Sequence, residues 1–143
     1  MNNPILAPAA VLILWSLIVL AWMAIVRFRA FAKAGIKLSE VPRGARYSDV
    51  EKEMPGLTNW PSHNFTHLME QPTIYYAVVA VLALAGDVSQ ASLTTAWAYT
   101  GLRIAHSIWQ NAINYVPVRA LLFVVSTVAL WVLAIRAVRI TLF

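Results

Sequence analysis

The feature that most constrains this chain is an uncharged apolar stretch from Ile5 to Val26. It holds about 20 residues, the length that an α-helix needs to cross the hydrocarbon core of a bilayer. The chain has 143 residues, of which 60% are hydrophobic and only 12% are charged. Soluble domains carry about twice that charged fraction, and one small core would not cover so much apolar surface. The sequence therefore predicts an integral membrane protein.

Three further apolar segments follow this stretch. The predicted helices span residues 5–26, 60–85, 90–115 and 118–137, and a polar loop joins the first two over residues 27–59. Pro72 lies inside the second helix, where a kink is expected, and Pro117 separates the third helix from the fourth. We therefore predict an all-α fold, in which residues 1–143 form a single domain, an integral membrane four-helix bundle.

The basic residues of the chain are clustered. Seven of its eleven lysines and arginines lie in the first loop: Arg27, Arg29, Lys33, Lys37, Arg43, Arg46 and Lys52. The positive-inside rule places such a loop in the cytoplasm, and both termini then lie on the opposite side. Arg136 and Arg139 fall on that opposite side, against the rule. This topology accounts for the net charge of +5 without a nucleic-acid partner. We therefore predict the lipid bilayer as a partner and no nucleic acid.

The residue types limit the chemistry that the chain offers. It contains no cysteine, which excludes a disulfide scaffold, a thiolate metal site and a cysteine nucleophile. His63, His67 and Glu70 have a spacing that resembles zinc ligands on one helix. The HExxH pattern is missing, however, and a third firm ligand would have to come from His106. We therefore predict no metal site.

Polar side chains occur at two places within the predicted helices. Ionisable residues inside a membrane are costly, and most of them face the bundle interior or an aqueous cavity. Each set shares one helical face, and the two sets are His63, His67 and Glu70 on the second helix and Arg103, His106 and Gln110 on the third. Glu70 and Arg103 both lie about 15–18 Å from the cytoplasmic side. This common depth predicts an ion pair between them.

Two interpretations of that pair remain open. It could hold the helices in register and nothing more, since buried ionic groups can serve specificity alone. Alternatively, it could belong to a polar cavity that opens to the cytoplasm and binds an anionic ligand among Arg103, Arg119 and Arg27. The added histidines favour the cavity.

Three motifs connect these residues to a known family. They are Val26-Arg27-Phe28-Arg29, then His67-Leu68-Met69-Glu70-Gln71-Pro72, and finally Arg103-Ile104-Ala105-His106 with Pro117-Val118-Arg119 after it. Their order and spacing resemble the MAPEG family, the membrane-associated proteins of eicosanoid and glutathione metabolism. The likeness covers nearly the whole chain and resembles a divergent bacterial-type branch, which implies the bacterial inner membrane as the location.

The resemblance implies a homotrimer with glutathione as cofactor. In enzymes of the family, glutathione binds between neighbouring subunits near the cytoplasmic ends of the helices, and a lipophilic substrate reacts with it. Carried over by position, Arg103 and Arg119 are the candidate catalytic residues that stabilise the thiolate. The implied cofactor-binding residues are Arg27, His67, Glu70, Arg103, His106, Gln110 and Arg119.

The sequence also departs from the family pattern. The enzymes carry arginines in the first turns of the second helix, where this chain has Trp60, His63 and Thr66. His67 replaces their asparagine, and Gln110 replaces their tyrosine. Neutral side chains do not replace bidentate arginine contacts to carboxylates.

Three function classes follow from these observations. The first is a glutathione-dependent transferase or peroxidase acting on a lipophilic substrate. The second is a non-catalytic membrane binding or structural bundle of the same fold. The third is a small transport or proton-relay protein, with Glu70, His67 and His106 as the relay. We favour the first.

Overall fold

The computed structural model of the chain describes residues 3–51, 54 and 56–143, and these form helices with no β-strand. The predicted all-α class is confirmed. The five α-helices are α1 (Leu6–Lys33), α2 (Tyr47–Val50), α3 (Gly56–Leu84), α4 (Gln90–Ala112) and α5 (Val116–Leu142). A short 3-10 helix spans Leu38–Glu40. Lys52, which we counted in the basic cluster, lies outside the described residues.

The predicted loop over residues 27–59 is too long at both ends. Residues 27–33 continue α1, because no glycine or proline interrupts them before Gly35. Gly35 has a φ of +68°, and the amide of Ile36 donates to the carbonyl of Phe31, which is the geometry of a glycine-terminated helix. At the other end, α3 begins at Gly56 rather than at residue 60.

The last two helices also differ from their predicted bounds. Helix α4 stops at Ala112 rather than at residue 115, because Asn114 adopts a φ of +54° and its amide bonds back to the carbonyl of Trp109. Asparagine is one of the few residues that tolerates this left-handed conformation. Helix α5 continues to Leu142 rather than to residue 137, since nothing in its last turns interrupts the helix.

Two of the described helices, α1 and α5, are long and apolar enough to cross a membrane. Large apolar side chains such as Leu14 and Trp131 are mostly exposed on them. Helices α3 and α4 do not meet the same criterion, because they carry the polar side chains discussed above. Their buried faces include Asn64 on α3 and Arg103 on α4.

The core is built around two stacked tyrosines, Tyr75 of α3 and Tyr99 of α4, whose ring centroids are 4.2 Å apart. Hydroxyl groups tie the neighbouring helices to this stack. The Tyr99 hydroxyl donates to Oε1 of Gln71 (3.3 Å), whose Nε2 donates to Oγ1 of Thr127 on α5 (2.7 Å). On the other side, Thr100 donates to the carbonyl of Pro8 on α1 (3.0 Å). These bonds set the relative heights of the four long helices.

An ionic cluster closes the end of the bundle at the α3–α4 turn. Asp87 is buried there and accepts hydrogen bonds from the Ser89 amide (2.8 Å) and the Ser92 hydroxyl. Arg136 of α5 donates to both serine hydroxyls and lies 4.0 Å from Oδ2 of Asp87. Arg136, whose charge conflicts with the predicted topology, therefore lies beside a carboxylate.

Removing this carboxylate should make the fold less stable at neutral pH. Burial alone would raise the pKa of Asp87, but hydrogen bonds from Ser92 and Ser89 and the charge of Arg136 together lower it. A lowered carboxyl pKa stabilises the fold above the usual carboxyl range, and this contribution is lost as the pH falls through the lowered pKa. We expect Asp87→Asn to reduce the free energy of unfolding by about 1–3 kcal/mol at neutral pH, and by less in acid.

The measurement is denaturant unfolding in detergent at several pH values. Glu40→Gln provides the control, because it makes the same charge change in an exposed pair with Lys37 and should have almost no effect. Equal stability of Asp87→Asn and the unaltered protein at neutral pH would contradict the prediction.

Candidate functional site

Three of the candidate residues, each from a different helix, line one groove. The groove has a volume of about 230 Å³ and lies between α3, α4 and α5. Its lining residues are His67, His106, Val116, Arg119, Ala120, Phe123 and Val124. We call it the His67–Arg119 groove. It combines one permanent cation and two imidazoles with an apolar wall from α5.

Glu70 is attached to this groove through His67. Its Oε2 atom lies 3.1 Å from Nδ1 of His67, one helical turn away. The side chain of His67 is 37% exposed and that of Glu70 is 59% exposed. The carboxylate therefore orients the imidazole from outside the groove, and both groups remain accessible on the surface of a single subunit.

Arg103 lies behind the groove and is 1% exposed. Its Nη2 atom donates to the backbone carbonyl of His67 (2.7 Å), and its guanidinium carbon is 5.6 Å from the ring centroid of Phe123. The predicted Glu70–Arg103 ion pair is wrong: within the described residues, these two charges lie more than 4 Å apart. The carboxylate lies on the exposed surface instead, so the guanidinium bonds to the nearer carbonyl.

Much of the hydrogen-bonding capacity at Arg103 is unused. Its Nε and Nη1 atoms are buried and have no partner among the described residues. The Nε2 and Oε1 atoms of Gln110, which is 0% exposed, are also buried without a partner among the described residues. Buried polar groups normally find partners in protein, water or ligand. These atoms lie behind the groove, since neither Arg103 nor Gln110 lines it.

Arg119 is half-buried at the start of α5. Its Nη1 atom donates to Oδ1 of Asn114 (2.7 Å), in the turn whose left-handed backbone ends α4. Its other N–H groups have no protein acceptor among the described residues. Arg119 is thus held at one nitrogen and keeps donors for an anionic group in the groove.

Arg27 lies away from the groove within one chain. Its guanidinium carbon is 3.8 Å from the ring centroid of Tyr47, and Nη2 donates to the Ser62 hydroxyl (2.9 Å). Burial raises the pKa of the Tyr47 hydroxyl, although the neighbouring Arg27 opposes this effect. Arg27 and Tyr47 line a separate cavity of about 240 Å³. The structure therefore does not bring Arg27 together with the other candidates.

Sequence analysis missed the residues that position the two histidines. The hydroxyl of Ser107 accepts from Nε1 of Trp15 on α1 (2.9 Å) and from Nδ2 of Asn64 on α3 (2.7 Å). Ser107 directly follows His106, and Asn64 is one turn from His67. This node fixes the relative heights of the helices that carry the imidazoles. Its signal was Asn64 itself, an amide within a predicted membrane helix.

Comparison with known proteins gives one result. A model described as the MAPEG family matches residues 5–139, nearly the whole chain, so the resemblance carried by the three motifs is confirmed. No curated protein and no solved structure matches. The match includes all of α1, most of α5 and every residue that lines the His67–Arg119 groove. The chain therefore belongs to the MAPEG family and is a membrane protein of that family.

Proposed function

We propose that this protein is a glutathione-dependent transferase or peroxidase that acts on a lipophilic electrophile from the bilayer. The observation that carries the proposal is the His67–Arg119 groove, where a cation with unused donors faces the same space as apolar side chains of α5. MAPEG proteins are associated with glutathione in general. An anionic thiol ligand and a lipophilic substrate both match this lining.

The residues present fit such a ligand in part. Arg119 offers guanidinium donors in the groove, while Arg103 lies behind it with two buried nitrogens, Nε and Nη1, that have no partner among the described residues. The arginines expected at the start of the second helix are replaced by Trp60, His63 and Thr66. Fewer carboxylate contacts predict weaker glutathione binding than a full arginine set would give.

The residues in and around the groove then have distinct roles. Bound glutathione would supply the sulfur nucleophile. Arg119 stabilises negative charge at the sulfur, which lowers the pKa of a thiol beside it. Glu70 holds the His67 imidazole so that it can accept the thiol proton. Phe123 and Val124 give the electrophile an apolar surface, and Arg103 acts through the His67 carbonyl as a positioning residue.

The exposed polar surface around Glu70 supports assembly into a homotrimer. Glu70 and His67 are accessible at mid-helix on α3, where contact of a carboxylate with lipid would be costly. A second subunit placed against this face would cover them. This arrangement agrees with the family resemblance, which implies that glutathione binds between neighbouring subunits.

We further propose that all four long helices cross the membrane, with the first loop cytoplasmic and both termini on the opposite side. Because the chain has no cysteine, a cysteine introduced at one position is the only thiol that a maleimide can label, so the labelling shows on which side of the membrane that position lies. We expect an impermeant maleimide to label Ser39→Cys and Ile113→Cys from one side and Val88→Cys from the other. Val88 and Ile113 are exposed in the turns that flank α4. Labelling of all three from one side would contradict the four-crossing arrangement.

The function itself is tested by blocking the groove. Ala120 is an exposed groove residue, and Ala120→Trp should fill the space beside Arg119 and His106. We expect the unaltered protein in nanodiscs to conjugate glutathione to lipophilic electrophiles or to reduce lipid hydroperoxides. Ala120→Trp should lose at least about nine-tenths of that turnover, since misplacement of reacting groups by about 1 Å costs as much as 100-fold.

Val128→Trp is the matched control, because Val128 is an exposed residue of the same helix outside the groove. It should keep full turnover. Glutathione binding without conjugation or peroxide reduction would instead support the non-catalytic binding bundle.

The contact between Glu70 and His67 favours proton relay as a second candidate. The rings of His67 and His106 are 6.0 Å apart between centroids and nearly perpendicular. Reconstituted protein that carries protons across liposomes, and loses this flux in Glu70→Gln, would favour the relay over the transferase.

A further inference from the structure

We infer that a second groove, on the α1–α3 face of the basic end, is a binding site for an anionic phospholipid. It has a volume of about 550 Å³ and is separate from both the His67–Arg119 groove and the Arg27 cavity. We call it the α1–α3 basic groove. Its lining includes Arg29 and Lys33 together with Val26, Met54, Leu57 and Thr58.

The charged residues that line this groove, among those that the structure describes, are both cations. Arg29 and Lys33 are exposed and lie four residues apart, so they project from the same face of α1. Neither has a hydrogen-bond or ion-pair partner among residues 3–51, 54 and 56–143. Lys37, by contrast, is paired with Glu40 at 3.0 Å. Two neighbouring cations that have no acidic partner in the described part of the chain suit the charge of a phosphate.

The groove also lies at the depth of lipid headgroups. The apolar run of α1 ends at Val26, and at 1.5 Å per residue Arg29 and Lys33 lie about 5–10 Å beyond it. Basic pockets between membrane helices at the cytoplasmic side bind anionic headgroups in this way. The positive-inside rule assigns this end to that side.

The apolar wall decides between a lipid and a free phosphate. Leu57 is 68% exposed on α3, and Val26 faces the same groove from α1. Inorganic phosphate would leave this apolar surface uncovered, whereas the glycerol and upper acyl chain of a phospholipid would cover it. The two cations match the phosphate of an anionic phospholipid, and the adjoining apolar wall matches its glycerol and acyl chains.

The test is lipid retention by the purified protein, measured by native mass spectrometry with phosphatidylglycerol or phosphatidylcholine. We expect phosphatidylglycerol to be retained at least tenfold more strongly than phosphatidylcholine. The double variant Arg29→Gln/Lys33→Gln should weaken this retention by about tenfold or more. The control Lys37→Gln/Arg43→Gln removes the same charge from the segment that follows α1 and should stay within about twofold of the unaltered protein.

Leu57→Gln separates the two possible phosphate sources. It should reduce phosphatidylglycerol retention several-fold, while added inorganic phosphate should not displace the lipid. Equal losses in the two double variants would show a diffuse charge effect and overturn the inference. Displacement by inorganic phosphate, or equal retention of phosphatidylcholine, would also overturn it.

Discussion

Arg119→Gln is expected to slow glutathione-dependent turnover by roughly 10²–10³-fold, the usual cost of removing one donor that stabilises developing negative charge. Arg119 is the permanent cation that lines the groove, and only one of its nitrogens bonds to protein among the described residues. Glutamine keeps a hydrogen-bond donor but loses the charge. The fold should be unaffected, because the lost bond to Asn114 lies in a turn.

The pH dependence of the same reaction identifies the role of Arg119. If this guanidinium stabilises a thiolate, its removal raises the thiol pKa, and the activity profile moves to higher pH. Arg139→Gln is the control, since it makes the same charge change at the other end of α5. Equal losses in both variants, or an unchanged pH profile in Arg119→Gln, would contradict the assigned role.

Arg103→Ala is expected to lower the free energy of unfolding by about 2–5 kcal/mol, as for other large-to-small changes at buried positions. Arg103 is among the largest fully buried side chains and packs between α3, α4 and α5. Alanine would leave a cavity there and break the bond to the His67 carbonyl. Arg103→Met fills similar space without a charge and should stay within about 1.5 kcal/mol of the unaltered protein.

Chemical unfolding in detergent measures both variants, and Arg139→Ala at an exposed position serves as the control. A methionine variant as unstable as the alanine variant would show that the guanidinium itself is needed for the fold. Measuring turnover separates an effect of Arg103 on stability from an effect on the reaction. A stable Arg103→Met protein with a lower kcat would confirm that the bond to His67 positions the groove.

The long helices could be predicted because their signals are local. Unbroken apolar runs identify α1 and α5, and Pro117 marks the start of α5 in the sequence itself. The sequence predicts that the first helix ends at Val26, because basic residues after an apolar run are typical of a loop, whereas α1 continues to Lys33. Charge does not end a helix; the glycine conformation at Gly35 does.

The depth of the site residues along their helices could be predicted from the sequence, but the atoms that bond to one another could not. The positions of Arg103 and Glu70 along their helices predict a common depth, and the guanidinium does reach that turn of α3, at the carbonyl of His67. Helical spacing does not say whether a carbonyl or a carboxylate accepts the bond. The Arg27–Tyr47 contact joins α1 to the four-residue helix α2, which is too short to show periodicity, so no pattern could indicate it.

The central claim is that the His67–Arg119 groove holds glutathione, and calorimetric titration of glutathione into the detergent-purified protein tests it most directly. We expect saturable binding in the unaltered protein and in Val128→Trp, and loss of that binding in Ala120→Trp. Absence of binding at millimolar glutathione, with the protein shown to be folded and oligomeric, would contradict the account.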